Sequence, residues 1–116
     1  PGSGLLLPVL LYEGYHRRNI DLVRIAEVTS FHTARLYHLY PRKGSLLAGS
    51  DADLVLIDLH REHTVKAEES GSFADYSPYE GKVLKGWPVK VIARGEVVAE
   101  NGKIFSTKGR GRCLFR

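Results

Sequence analysis

The chain has 116 residues, 43% of them hydrophobic and 26% charged, which fits one ordinary globular domain and sets aside a disordered tail, a fibrous repeat or a multidomain enzyme. Its longest nearly apolar run, Leu5 to Tyr12, falls far short of the roughly 18–20 residues that cross a bilayer, and no signal-peptide pattern opens the sequence, so a cytoplasmic protein without a membrane partner is expected. The net charge of +4 is dispersed except at Arg17-Arg18, Arg42-Lys43 and a tail of Lys108, Arg110, Arg112 and Arg116 with one aromatic, Phe115; single-strand nucleic-acid surfaces interleave more aromatics with their cations, so no nucleic-acid partner is expected.

The first third reads as three short helices. Pro8 suits a first helical turn, where its missing N–H costs nothing, and Leu10, Leu11, Gly14 and Tyr15 follow at helical spacing until Gly14 and Arg17-Arg18-Asn19 weaken the pattern. Asp21 offers a side-chain oxygen to a new first turn, and Leu22, Ile25, Ala26 and Val28 recur with a 3.6-residue period. A third helix is expected over Thr33 to Leu39, capped by Ser30 and stopped by Pro41. These rods carry more apolar surface than they can bury among themselves.

From Asp53 the period changes. Asp53-Leu-Val-Leu-Ile-Asp58 is a continuous apolar run bounded by aspartates, the pattern of a strand covered on both faces. His63 to Ala67 reads as a second short strand and Ser70 to Pro78 as a loop. Short strands are expected at Lys82 to Lys85, Val89 to Arg94, Glu96 to Glu100 and Lys103 to Phe105, reversing at Arg94-Gly95 and at Asn101-Gly102, whose residues accept the positive φ of a type I′ turn. The fold class is therefore α+β: a helical segment, residues 1–44, then an antiparallel β segment, residues 45–116.

The run Gly49-Ser-Asp-Ala-Asp-Leu-Val-Leu-Ile-Asp58 resembles the strand that follows the barrel in the metal-dependent amidohydrolase superfamily. It is preceded by Leu39-Tyr-Pro-Arg-Lys-Gly44 and followed by Asp75-Tyr-Ser-Pro-Tyr-Glu-Gly81, Lys85-Gly-Trp-Pro-Val89, Arg94-Gly95 and Gly109-Arg-Gly-Arg112. In that order the set is similar to the C-terminal part of hydantoinases and dihydropyrimidinases, over essentially the whole chain. Allantoinases and dihydroorotases share the Ala-Asp-Leu-Val wording but fit the flanking motifs less well.

The resemblance implies a large two-part enzyme, a (β/α)8 barrel with a β-sandwich assembled from segments before and after it. This chain would supply the last barrel helices, Leu5 to Tyr40, and later sandwich strands from Ser45 onward. It also implies two divalent metals, usually zinc, held by histidines, an aspartate and a carbamylated lysine, with a metal-bound hydroxide attacking a cyclic amide. Those ligands and the substrate-contacting asparagine would all precede Pro1, so no catalytic, cofactor-binding or metal residue is assigned to this chain. One departure is local: where the family has Thr-Asn-Pro-Ala-Lys, this chain has Phe31-His-Thr-Ala-Arg35, losing a cap and a pre-set φ and putting the third helix in doubt.

The residues themselves offer little chemistry. His60-Arg-Glu-His63 has the wrong spacing for a helical zinc motif, which needs histidines four apart. His16 stands alone, and His32 and His38, six apart, point in different directions on a helix. Cys113 is the single cysteine, beside Arg112 but without a nearby histidine to act as base; it can form no intrachain disulfide. Asp51 and Asp53 read as backbone-bonding groups that turn the chain into its first strand, Glu68-Glu69 as a solvated loop, and Tyr76, Tyr79 and Trp87 as packing groups. Gly109-x-Gly111 opens no helix and is no phosphate loop.

The function expected is a scaffold piece of a cyclic amidohydrolase that opens hydantoin or dihydropyrimidine rings, inactive alone and associating with copies of itself or with the rest of the barrel. Two other readings stay open: a piece of a non-enzymatic dihydropyrimidinase-like assembly protein, or a free-standing oligomerisation module.

Overall fold

The computed structural model describes residues 2–69 and 71–114. Pro1, Ser70, Phe115 and Arg116 lie outside the described residues, and with them the first residue of the expected 70–78 loop and the last aromatic and last cation of the tail.

Two helical rods precede the strands. The first opens with a 3-10 turn at Ser3–Leu5, continues as α1 (Leu6–Val9) and widens into a π-helical stretch at Leu10–His16. Pro8 thus lies in the second turn rather than the first, buried, and Gly14 does not break the rod. The second rod is α2 (Leu22–Ala26), a π-helical turn at Glu27–Phe31, and α3 (His32–Leu36). As expected, Asp21 opens it: its Oδ1 accepts the Val23 amide at 2.9 Å.

The expected separation of a second and a third helix is therefore corrected: Ser30 caps nothing and sits inside the π-helical turn. The departure at Phe31 to Arg35 supplies the reason. With Thr33 in place of a proline, the backbone keeps its N–H and meets no ring clash, so the helix runs on, and the Thr33 hydroxyl donates to the Val28 carbonyl at 3.3 Å. Nor is Pro41 the stop. The helix ends at Leu36, and His38 turns left-handed at φ 57, which lets the Leu39 amide donate back to the Ala34 carbonyl at 2.8 Å.

One four-stranded sheet follows, in the order β1-β2-β3-β4, with β1 (Leu54–Thr64), β2 (Val83–Ala93), β3 (Glu96–Glu100) and β4 (Lys103–Ile104). The β2–β3 and β3–β4 pairs are antiparallel, in register at Ala93↔Glu96 and Glu100↔Lys103. Both expected reversals form: Arg94 and Gly95 adopt φ 50 and 78, Asn101 and Gly102 φ 49 and 81, the left-handed pairs that fit the twist of a two-residue hairpin.

Three strand expectations are corrected. His63 and Thr64 end β1 instead of beginning a strand of their own, and Ala67–Glu69 is a 3-10 turn. Lys82 to Lys85 and Val89 to Arg94 merge into the eleven-residue β2, which passes through Trp87-Pro88. Gly86 permits this: at φ +97 a Cβ there would stand 2.9 Å from the Leu11 Cβ, so the close approach of the rod requires glycine. Third, the Val55-Leu-Ile57 run is not covered. β1 is an edge strand, and Val55, Leu56 and Ile57 are successively exposed, hence bare on both faces.

The chain forms two compact units, one of Pro1–Ile25 with Ile57–Trp87 and one of Ala26–Leu56 with Pro88–Arg116. In the first, Leu5, Val65 and Leu84 form the core, with Val9, Tyr12, Tyr79 and Trp87 packed against them, and Leu11 and Ile25 are buried as well. In the second, Ala34 is the one buried residue among those described.

Candidate functional site

In the first unit the histidines serve as structural hydrogen-bonding groups. His16 Nε2 lies 2.8 Å from the Leu59 carbonyl, fixing the π-helical stretch to β1. His63 Nε2 meets Glu69 Oε2 at 2.6 Å while its ring stands edge-on to Trp87 at 5.0 Å. The Trp87 indole N–H in turn donates to the Leu84 carbonyl at 2.8 Å, which places that aromatic in packing, as expected. Tyr76, by contrast, is exposed. A shallow depression is lined by Lys66, Glu68, Asp75, Tyr76 and Glu80, but Glu80 is already committed, its Oε2 accepting the Ala67 amide at 2.7 Å.

His60 does not join His63 in a ligand pair. The backbone amides of His60 and Arg61 both reach the Asp58 carboxylate, at 2.8 and 3.2 Å, so this stretch of β1 is stapled to its own aspartate. Glu13 takes Arg17 and Arg18 at the end of the first rod, at 2.8 and 2.6 Å. The Arg18 guanidinium first, then Arg17, hold its carboxyl below the ordinary range.

The second unit concentrates charge. Lys43 Nζ bridges Asp51, at 2.8 Å, and Asp53, and Arg42 Nε adds a bond to Asp51 at 3.1 Å. Asp51 is held below the usual carboxylate range chiefly by Lys43, and Lys43 is raised by Asp51 and then Asp53. Burial alone would push Asp53 up, but the Lys43 ammonium and the Arg94 amide together outweigh it and keep it low. Asp53 fulfils the expected backbone role, since its Oδ1 accepts the Arg94 amide at 2.8 Å across the β2–β3 turn, whereas Asp51 is an ion-pair partner instead.

A second knot surrounds Arg110, whose Nη2 donates to the Ala93 carbonyl at 2.6 Å and to Glu96 Oε2 at 2.7 Å, while Arg94 Nη2 donates to the Arg110 carbonyl at 2.6 Å. Arg110 holds Glu96 below its ordinary range. From the residues alone Arg94 is expected in a reversal, but no bonding partner is expected for Lys43, Arg94 or Arg110, because nothing local announces bonds between residues 41 positions apart, as for Asp53 and Arg94. Cys113 is exposed. His32 lies against Phe31, and Phe31 against Tyr40, in aromatic contacts.

Among the described residues no group of three or more His, Cys, Asp or Glu side chains is arranged to hold a metal ion, and no helix is long and apolar enough to cross a membrane. The donor sets do not fit a divalent metal centre: Asp51 and Asp53 are paired with Lys43 and Arg42, and His63 is paired with a single carboxylate.

Comparison with known proteins identifies the family. The amidohydrolase family pattern matches residues 4–98. The L-hydantoinase of Paenarthrobacter aurescens is 39% identical over 99% of this chain, which covers 26% of that protein, and the dihydropyrimidinase of Rattus norvegicus is 36% identical over 95%, covering 21%. The solved L-hydantoinase (dihydropyrimidinase) from Arthrobacter aurescens superposes with a TM-score of 0.88 at 40% identity, across 91% of this chain and 24% of that one. The chain thus spans about a quarter of the length of these relatives. With two helical rods, a four-stranded sheet and a family match over most of its length, this chain belongs to the amidohydrolase family.

Proposed function

We propose that this chain is the C-terminal scaffold segment of a cyclic amidohydrolase of the hydantoinase or dihydropyrimidinase kind, whose complete form opens a cyclic amide ring by hydrolysis, and that the segment is not catalytic alone. The observation that carries this reading is β1. Its Val55-Leu-Ile57 run is written for burial on two faces yet is bare on both, at a sheet edge. Covering such a run stabilises it by about 25 cal/mol for each Å² of apolar area removed from water. The natural cover is a second layer and a neighbouring strand, as in a composite β-sandwich.

The similarity to hydantoinases and to a dihydropyrimidinase, each about four times longer, supports the same reading. A metal centre of the kind such an enzyme uses would be built from positions other than these, and the chain's own residues would hold the sheet and the last helical rods in place. Left to itself, the chain would meet the need for cover by associating with further copies, because an unpaired edge and an uncovered apolar face both favour it.

The test is direct. The purified 116-residue chain, incubated with zinc and assayed with hydantoin and dihydrouracil, is expected to bind no stoichiometric metal and to show no turnover. Zinc-dependent hydrolysis by this chain would overturn the scaffold reading.

A further inference from the structure

The knot around Arg110 has no part in the scaffold role of β1. Beyond β4 the chain reverses at Lys108-Gly109, where Gly109 adopts φ +80 with open space around it. That reversal returns Arg110 to the β2–β3 turn, where its guanidinium spans two acceptors, the Ala93 carbonyl and the Glu96 carboxylate, and its own carbonyl is taken by Arg94. The bonding is reciprocal: each arginine donates to the other's strand or tail, and the turn between them is also held by Asp53 and by the Gly95 amide on the Ala52 carbonyl, at 3.0 Å. Arg110 is largely withdrawn from solvent, its side chain 17% exposed, whereas Glu96 is 75% exposed. Among the described residues beyond Asn101-Gly102, only Lys103 and Ile104 lie in a strand, and the Phe105 amide on the Val98 carbonyl, at 2.8 Å, is the last ladder-like bond before Arg110.

We propose that Arg110 is a latch that straps residues 105–114 across the β2–β3 turn, and that the strap opens as a unit separate from the sheet. Planar, charge-assisted donation to two acceptors is the strong form of a hydrogen bond, and among the described residues no other side chain of the strap supplies an equivalent. Segments held by few bonds and little apolar burial are those that open at low free energy, ahead of the whole. Lysine, a flexible point charge without the planar fork, would lose the second donation that the Arg110 Nε makes to Glu96 Oε2 at 3.2 Å.

Cys113, exposed and the only cysteine, sits three positions beyond the latch and provides a reporter without any added substitution. A nitroxide attached to it in the 116-residue chain is expected to show a slow, ordered component in its electron paramagnetic resonance spectrum. Arg110→Ala is expected to convert that component to a fast one, with a correlation time shortened by about threefold or more, and Arg110→Lys to give an intermediate spectrum. Gly109→Ala, which keeps every bonding side chain but strains the reversal, is expected to mimic the open state in part. In all three variants the far-UV circular dichroism of the sheet is expected to be retained. A fast wild-type spectrum that Arg110→Ala leaves unchanged would overturn the latch. Loss of the sheet signal together with the strap would overturn its separate opening.

Discussion

The first unit buries Leu5, Leu11, Ile25, Val65 and Leu84, while the second buries Ala34 alone among the described residues and leaves Leu36, Leu46 and Ile104 exposed at 73, 83 and 76%. In place of a core the second unit has ion pairs: Lys43 between two aspartates, and Arg110 between Ala93 and Glu96. The first unit adds its ion pairs, such as Glu13 with Arg17 and Arg18, to an apolar core, whereas the second has ion pairs without one. The contrast shows where cover is missing. A unit with a core can keep its shape by removing apolar area from water, whereas charge pairs at a surface contribute little each, so the second unit depends most on whatever would cover it.

The largest expected effect breaks the comparison from the apolar side. Leu84→Ala should lower stability by about 2–5 kcal/mol, because it empties the centre of the first core, and Leu46→Ala should change it by less than about 0.5 kcal/mol, because that side chain already meets water. Urea titration followed by Trp87 fluorescence checks both. Equal losses at the two positions would erase the distinction.

A backbone position in the second unit comes next. Gly44 has φ +75, and a Cβ there would lie 2.6 Å from the Ala34 Cβ and 3.1 Å from the Ser30 carbonyl oxygen. Gly44→Ala should therefore cost about 2–3 kcal/mol from strain and crowding at the one well-buried spot of that unit. Thermal unfolding by circular dichroism reads it, and an unchanged midpoint would show that the loop after the second rod gives way freely.

The third prediction uses pH. Asp51, Asp53 and Glu96 are all held below their ordinary values, so the folded state binds fewer protons than the unfolded one as pH falls through the carboxylate range. Their contribution is complete above the ordinary values, near about 4, and is lost as pH drops toward the lowered ones. The first unit has Glu13 lowered in the same way but keeps its apolar core at any pH, so the second unit should loosen first in acid. A fluorophore on Cys113 should report release at a higher pH than Trp87 reports change in the first core. The reverse order would contradict the contrast between a unit with a core and one without. The smallest effect is Gly14→Ala, expected to stabilise by about 0.5–1 kcal/mol, since a Cβ there meets the Ile20 and Ile25 methyls at 3.5 and 3.7 Å, ordinary contact distances, inside a helical rod.

What could be read from the residues was what local chemistry decides. Asn101-Gly102 and Arg94-Gly95 turn because of their own φ preferences, and Asp21 opens a helix because its oxygen reaches an amide two residues on. Ser30 misled for the same reason: it has the chemistry of a cap, but with Thr33 in place of a proline nothing interrupts the rod, and tertiary context chose continuity. Gly86 and Pro88 looked like a break between two strands, and only the approach of Leu11 shows why one strand passes through them. The charge knots were illegible because they join loop residues from eight to 41 positions apart, for which no local period or turn chemistry sets a partner. The β1 run reads as a strand covered on both faces because it is continuously apolar, and the structure of this chain leaves it exposed at a sheet edge, since cover is a property of neighbours and not of the run itself.

The measurement that bears most directly on the scaffold account is the mass of the purified chain in solution, by light scattering, combined with its unfolding profile. A dimer or larger species is expected, driven by the bare Val55-Leu-Ile57 edge and the exposed leucines of the second unit. A stable monomer with one sharp unfolding transition would contradict it.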